Sequence, residues 1–375
     1  MKNIKRIIAL ALAALMLTVF AGCHGKDEVA ATAGDTTFTS AFYMCALINA
    51  DMEARTKVDQ AKAEAQKDKE TTSSATSSAV EETDYFAEKI EDKTFSQWIK
   101  DTAINSLKRF AFLDAKIKEL KIEIKEEEIA NYEYYAEYYW TNYGYQSLFE
   151  PNGVALSTYK KYMAYTAYED AYFDYIYGEG GQKEISKADM TKFMGENYVI
   201  ADVLQGSTAE LKEEAKITEY KNTFAGYAKR LEQGEDFKKV YNEFNNVKED
   251  STSSAASTTS GEKEEAKPKD ELAQVIGKEG TSYESEYYED VKAMKNGEVK
   301  QYSPEGDANT LLIFKKGDIM ADPYYIDELA DTIRYDMKFK EFDKELDTAC
   351  AAQALETVSY AINRFKVEKI KYPEA

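Results

Sequence analysis

The stretch that most constrains this chain is TFSQWIKDTAINSLKRFAFLDAKIKELKI, residues 94–122. Phe95, Trp98, Ile99, Ile104, Leu107, Phe110, Leu113, Ile117 and Leu120 recur mainly at three- and four-residue steps, the signature of one helical face. So long a helix with one apolar stripe has to be covered by other helices. The sequence offers them: only five prolines in 375 residues interrupt its Lys/Glu-rich periodic stretches. Thr39 or Ser40 can cap a helix through AFYMCALINADMEARTK. KEEEIANYEYYAEYYWTNYG reads as a helix ended by Gly144. After a turn at Pro151-Asn152-Gly153, a Ser/Thr cap opens a further helix that ends at Gly178. Residues 59–92 lack the apolar content to pack and are expected to be a disordered insertion.

Residues 132–177 hold 14 of the 29 tyrosines. Tyr159, Tyr162, Tyr165, Tyr168, Tyr172 and Tyr175 fall on one helical stripe. One reading is core, with amphipathic rings packing three helices and each hydroxyl finding a partner or water. The other is an aromatic cradle for unfolded segments, because tyrosine gives large contact area at low entropy cost. Fourteen rings exceed what a three-helix core hides, so some are expected to be exposed. Tyr134, Tyr138, Tyr162, Tyr165, Tyr168 and Tyr172 are the client-binding candidates.

Beyond residue 186 the pattern changes. NYVIADVLQ alternates and is β-rich, so it reads as a strand. A charged helix to Leu231, Gly234 and a short helix in EDFKKVYNEF follow. Residues 246–270 form a second low-complexity stretch, expected to be disordered. ELAQVIGKEG, SEYYEDVKAMKNG, EVKQYSP and NTLLIFKKGD then read as strand, helix, strand and strand. The order is β-α-α-β-α-β-β. From DPYYIDELADTIRYDMKFKEFDKELDTAC the chain is helical again.

The N-terminus constrains chemistry and location. Lys2, Lys5 and Arg6 precede an apolar run of 14 residues, Ile7 to Phe20. That is too short to cross a bilayer core, which needs about 20, and has the form of a secretory signal. FAGC resembles the lipobox of bacterial lipoproteins, with cleavage before Cys23 and lipid on its thiol. A plain secretion signal and a membrane-anchored N-terminus are the alternatives. His24, the only histidine, then lies on a flexible leader, residues 23–38, which ends in a short extended piece with Gly34-Asp35 as a turn. Histidine-dependent nucleophile activation, general acid-base catalysis and zinc ligation therefore have no residue to use in the folded part. No Gly-rich phosphate loop or Asp-x-Asp calcium loop is present, so no cofactor and no metal is expected.

Loss of residues 1–22 removes three positive charges and leaves 45 Lys+Arg against 69 Asp+Glu, a net charge near −24. Such a surface repels nucleic acid and anionic lipid, and suits a tethered protein or a binder of basic or unfolded chains. Cys45 and Cys350 remain, each in an apolar helical context. They are either a disulfide or two buried thiols.

Several words of the sequence carry a resemblance. RLEQGEDFKKVYNEF resembles the Gly-Glu-Asp-Phe turn of the parvulin family of peptidyl-prolyl isomerases. AMKNGEVKQYSP is similar to that family's Leu-Lys-x-Gly-Glu-Val helix exit, and SKADMTKFMGENY to its lead-in. VAATAGDTTFTSAFY and the helix at 94–122 are similar to the N-terminal chaperone domain of SurA/PrsA-like foldases. The resemblance implies an α+β chain. A helical chaperone domain spans 39–189, a parvulin-like domain is inserted at 190–318, and C-terminal helices at 319–375 return to the first domain.

The family's active site is where this chain departs. Asp202 stands where the family has the histidine of its first strand, and Thr310 where it has that of its last strand. Lys292 stands at the aromatic that holds the substrate proline, and Ala273, Gln274 and Val275 at a Gly-Trp-Phe. Twisting an amide costs about 18–20 kcal/mol. An isomerase lowers that with a dry apolar slot and donors to the twisted state. Both parts are damaged here. Asp202 and Thr310 are still expected to be able to hydrogen-bond across adjacent strands. The resemblance therefore implies a membrane-anchored extracytoplasmic foldase or chaperone whose partners are unfolded exported polypeptides. An isomerase with a non-histidine site, and a surface lipoprotein drifted to another binding role, are the alternatives.

Overall fold

A computed structural model describes residues 28–70, 83–247, 271–279, 286–304 and 307–373. The expected signal, residues 1–22, together with Cys23 and His24, lies outside the described residues, as do 71–82 and 248–270 of the two expected insertions. The structure mixes helix and sheet. Its contacts divide the chain into two units, one of residues 1–183 with 339–375, the other of residues 184–338.

The first unit opens with a hairpin, β1 (Val29–Ala33) and β2 (Thr36–Thr39), turned at Gly34 with φ +57°. Helix α1 (Ser40–Glu70) follows, with Thr39 Oγ1 accepting the Phe42 amide at 3.2 Å as its cap. The short pair β3 (Lys89–Ile90) and β4 (Lys93–Thr94) leads into α2 (Phe95–Leu120). Thr94 caps α2 through the Gln97 amide, and Lys121 in the left-handed region ends it. Helices α3 (Glu126–Asn142), α4 (Tyr145–Phe149) and α5 (Leu156–Tyr177) complete this run. The apolar stripe of α2, from Phe95 through Leu107 to Ile117, is buried. Leu47, Ile48, Ile99, Leu107 and Phe149 lie in one continuous core.

Two expectations for this unit need correction. The leader does not extend to residue 38: the hairpin's Ala30 and Ala31 are fully buried, and a short C-terminal strand at Glu356–Thr357 pairs along β1. Residues 59–92 are not wholly a disordered insertion either. Among the described side chains of α1 the last buried one is Val58, yet the helix continues to Glu70. Ala, Lys and Glu are strong helix formers, so a solvated extension needs no apolar stripe. At the other end Ile90 is buried, and Tyr85 and Phe86 pack on Phe95 with ring centroids 5.8 and 5.4 Å away.

In the second unit, α6 (Lys187–Asn197) is capped by Ser186 and leads into β5 (Tyr198–Ser207). Then come α7 (Glu214–Glu232), α8 (Phe237–Phe244), β6 (Ala273–Gly277), α9 (Tyr288–Ala293), β7 (Val299–Tyr302) and β8 (Thr310–Lys316). The sheet order is β6-β5-β8-β7, antiparallel throughout. Val199, Ala201, Val203, Leu312 and Phe314 face α9. Leu204, Leu311 and Ile313 face α7 and α8. Helices therefore cover both faces, and β5 is buried on both, which explains its nearly unbroken apolar run where alternation was expected. Gly206 is needed for that covering: a Cβ there would lie 2.8 Å from the Phe224 ring.

Helices α10 (Tyr324–Glu328) and α11 (Ala330–Ala351) follow, and the chain ends with α12 (Ser359–Asn363) and a short turn. The second half of α11 belongs to the first unit, where Phe342 packs edge-on to Phe173 at 5.2 Å.

Candidate functional site

Helix α3 carries five glutamates and no lysine or arginine. Its inner face is narrow. Ala136 and Trp140, four residues apart, are buried, and Trp140 packs on Phe149 and Tyr159 at 6.0 Å each. At 100° per residue the opposite face holds Tyr134 and Tyr138, with Tyr135 at its edge. These rings are accordingly outside: Tyr134 is 64% exposed, Tyr135 and Tyr138 are 42% each, and Tyr143 just past the helix is 62%. They touch edge to face, Tyr134 with Tyr135 at 5.9 Å and Tyr138 with Tyr143 at 5.7 Å. Tyr139 joins the second pair to Tyr145. The four rings form an exposed aromatic row on α3 and its exit.

Apart from Tyr175, which is 40% exposed, the tyrosines of α5 behave differently. Tyr165 stacks on Phe110 with centroids 4.3 Å apart and donates to Asp114 Oδ2 at 3.1 Å. Tyr162 packs edge-on to Phe110 at 5.2 Å, and Tyr168 lies against Tyr165 at 5.1 Å. Tyr172 lies between Phe112 and Phe342. Burial pushes the hydroxyls of Tyr159, Tyr162, Tyr165, Tyr168 and Tyr172 above the ordinary tyrosine range. The six candidates thus divide: Tyr134 and Tyr138 are exposed on α3, whereas Tyr162, Tyr165, Tyr168 and Tyr172 are half-buried and spend their faces on packing. Tyr135 and Tyr143 were missed. The position of Trp140 was the available signal, because the bulkiest apolar residue of α3 marks its inner side.

Two clefts of about 290 and 520 Å³ in this unit share Ser106 and Arg109. Tyr162 and Tyr165 line the smaller, and Trp98 and Cys350 the larger. Arg109 is engaged by Glu169 through Nε and Nη2, by Asp343 at 2.7 Å and by Asp347 at 2.8 Å. Burial alone would lower its pKa, but these carboxylates raise it on balance. The guanidinium ties α5 to α2 and α11 and has few donors left for a ligand.

Asp202 is buried on β5, opposite Lys315 of β8 and 4.0 Å from its Nζ. Thr310 lies opposite Ser207, five positions further along β8. That is roughly 17 Å at strand spacing. Parity also separates them: Asp202 points with Leu204 toward α7 and α8, and Thr310 with Leu312 toward α9. The expected hydrogen bond between them is therefore absent. Thr310 Oγ1 instead donates to Asp307 at 2.6 Å. Lys292 does not enter a slot over the sheet. Its ammonium bonds the Glu196 carbonyl at the end of α6 and the Tyr288 hydroxyl at 2.7 Å, the work of a helix C-cap. Ala273, Gln274 and Val275 pair with Asp202, Ala201 and Ile200 at the sheet edge.

Cys45 and Cys350 are both free and buried in the structure. Burial raises the Cys45 thiol well above its usual value and pushes that of Cys350 up to about 12. Among the described residues no three His, Cys, Asp or Glu side chains are grouped to hold a metal ion. No helix among them is long and apolar enough to cross a membrane.

No family model matches the chain, and no curated protein does. Among solved structures it is similar to the foldase protein PrsA from Lactococcus lactis, with a TM-score of 0.37 and 15% identity over 70% of this chain and 86% of that one. It is also similar to the foldase protein PrsA from Streptococcus pneumoniae, with a TM-score of 0.36 and 11% identity over 76% and 93%. At such identities and TM-scores the likeness carries no argument about what the chain does.

Proposed function

We propose that the chain is a lipid-anchored extracytoplasmic chaperone that holds unfolded exported polypeptides on the tyrosine face of α3. In this reading Cys23 carries the lipid, and the second unit is a parvulin-like module without isomerase activity. The observation that carries the proposal is the row Tyr134, Tyr135, Tyr138 and Tyr143, held in solvent by a folded helix. Rings of this kind offer adaptable apolar area with a polar tip and little entropy to lose, which suits transient contact with many sequences. The separation of Asp202 from Thr310, and the use of Lys292 as a cap, support the absence of catalysis in the second unit.

The test uses residues 24–375 as a soluble form. Suppressed aggregation of a denatured client, with no acceleration of proline-limited refolding, is the expected result. Acceleration of the slow refolding phase would instead favour an isomerase with a non-histidine site. Neither effect would remove the chaperone reading.

A further inference from the structure

We infer that the tyrosine face of α3 selects cationic segments of unfolded chains, stretches in which Arg or Lys is interspersed with apolar residues. The inference rests on the chaperone reading and adds the chemistry of what is held. Glu126, Glu133 and Glu137 are spaced seven and four residues apart and so share one stripe of α3. That stripe lies along the flank of Tyr134. Glu127 stands seven residues before Tyr134, on the ring stripe itself. Of the lysines nearby, Lys125 pairs with Glu128 at 3.2 Å and Lys160 with Glu137 at 2.7 Å. The face therefore presents π-electron surfaces bordered by carboxylates, of which Glu137 holds Lys160, Glu127 lies in the field of Lys125, and Glu126 and Glu133 carry no ion pair among the described residues.

An unfolded chain that meets this face offers one of three chemistries. A neutral apolar segment gains only ring contact. An acidic segment is repelled by the carboxylates. A guanidinium or ammonium gains the ring quadrupole and the carboxylates together, while the apolar stem of its side chain covers the ring. Charge complementarity favours the third. The carboxylates lie in solvent, so their share falls with salt over the roughly 8 Å Debye length of physiological buffer.

The experiment uses the full chain in non-ionic detergent and three short labelled peptides. They share the same Leu and Phe positions and are spaced by Arg, Gln or Glu. The Arg peptide is expected to bind roughly tenfold more tightly than the Gln peptide, with the Glu peptide weakest. The double variant Tyr134→Leu, Tyr138→Leu keeps the apolar area and is expected to cut the Arg preference to the share the carboxylates supply, which raised salt then removes. Tyr134→Phe, Tyr138→Phe keeps the rings and retains the preference. Equal binding of all three peptides overturns the inference and leaves the chaperone reading standing. An Arg preference undiminished in the Leu variant also overturns it, because the rings then contribute nothing to the selectivity. No binding of any peptide removes both readings.

Discussion

Helices α3 and α5 are both built on tyrosine, five in one and seven in the other; α3 exposes three of its rings, whereas α5 packs all but Tyr175. In α5 the small residues Ala164 and Ala167 face inward, so neighbouring helices close over the flanking rings. Tyr162, Tyr165 and Tyr168 become wall and floor. In α3 the buried residues are only Ala136 and Trp140; Tyr132 and Tyr139 are half-buried, and Tyr134, Tyr135 and Tyr138 are left exposed. Ring count alone therefore says little about function. What matters is which side of each helix its smallest and bulkiest apolar residues occupy.

The largest expected effect that tests this contrast is on stability. Tyr159 is buried against Trp140 and Phe149, so Tyr159→Ala is expected to cost about 3–5 kcal/mol in chemical denaturation. Tyr134→Ala is expected to change stability by no more than about 0.5 kcal/mol. Equal costs would erase the distinction between packed and presented rings.

A smaller effect is expected from the guanidinium that ties α5 in place. Arg109→Met leaves Glu169, Asp343 and Asp347 facing one another without their shared cation. A loss of about 2 kcal/mol is expected, discounted for partial exposure. It should be read from the first unit's unfolding midpoint, with the rings of α3 still exposed.

The smallest effect is alkaline. Burial raises the Tyr159 hydroxyl above its unfolded value near 10. Its contribution to stability is complete below that pH and is lost as pH rises beyond it, because only the unfolded chain then releases the proton. Tyr159→Phe is expected to match the parent near neutrality and to lose stability less steeply above about pH 10. Parallel slopes would contradict the burial of that hydroxyl.

Much of the architecture was legible because it follows from periodicity. The stripe from Phe95 to Leu120 is a buried helix, and the strand read in NYVIADVLQ is β5. Legibility failed where local composition misled. VAATA has no bulky residue and reads as part of the leader, yet it forms a strand with Ala30 and Ala31 fully buried. Residues 59–70 look unpackable and are still helical, because propensity alone carries a solvated extension. At the candidate sites, the family resemblance puts Asp202 and Thr310 within reach of each other. Strand register, which no single strand reveals, places them at different positions and on opposite faces. Tyr134 and Tyr138 were among the candidates, but the division between them and the tyrosines of α5 depends on which neighbours cover each helix.

The most direct measurement of the central claim is client aggregation in the presence of a variant with Ser at positions 134, 135, 138 and 143. The account predicts unchanged far-ultraviolet dichroism and unfolding midpoint, with suppression of aggregation largely lost. Suppression equal to that of the parent chain would contradict it and move the client site elsewhere.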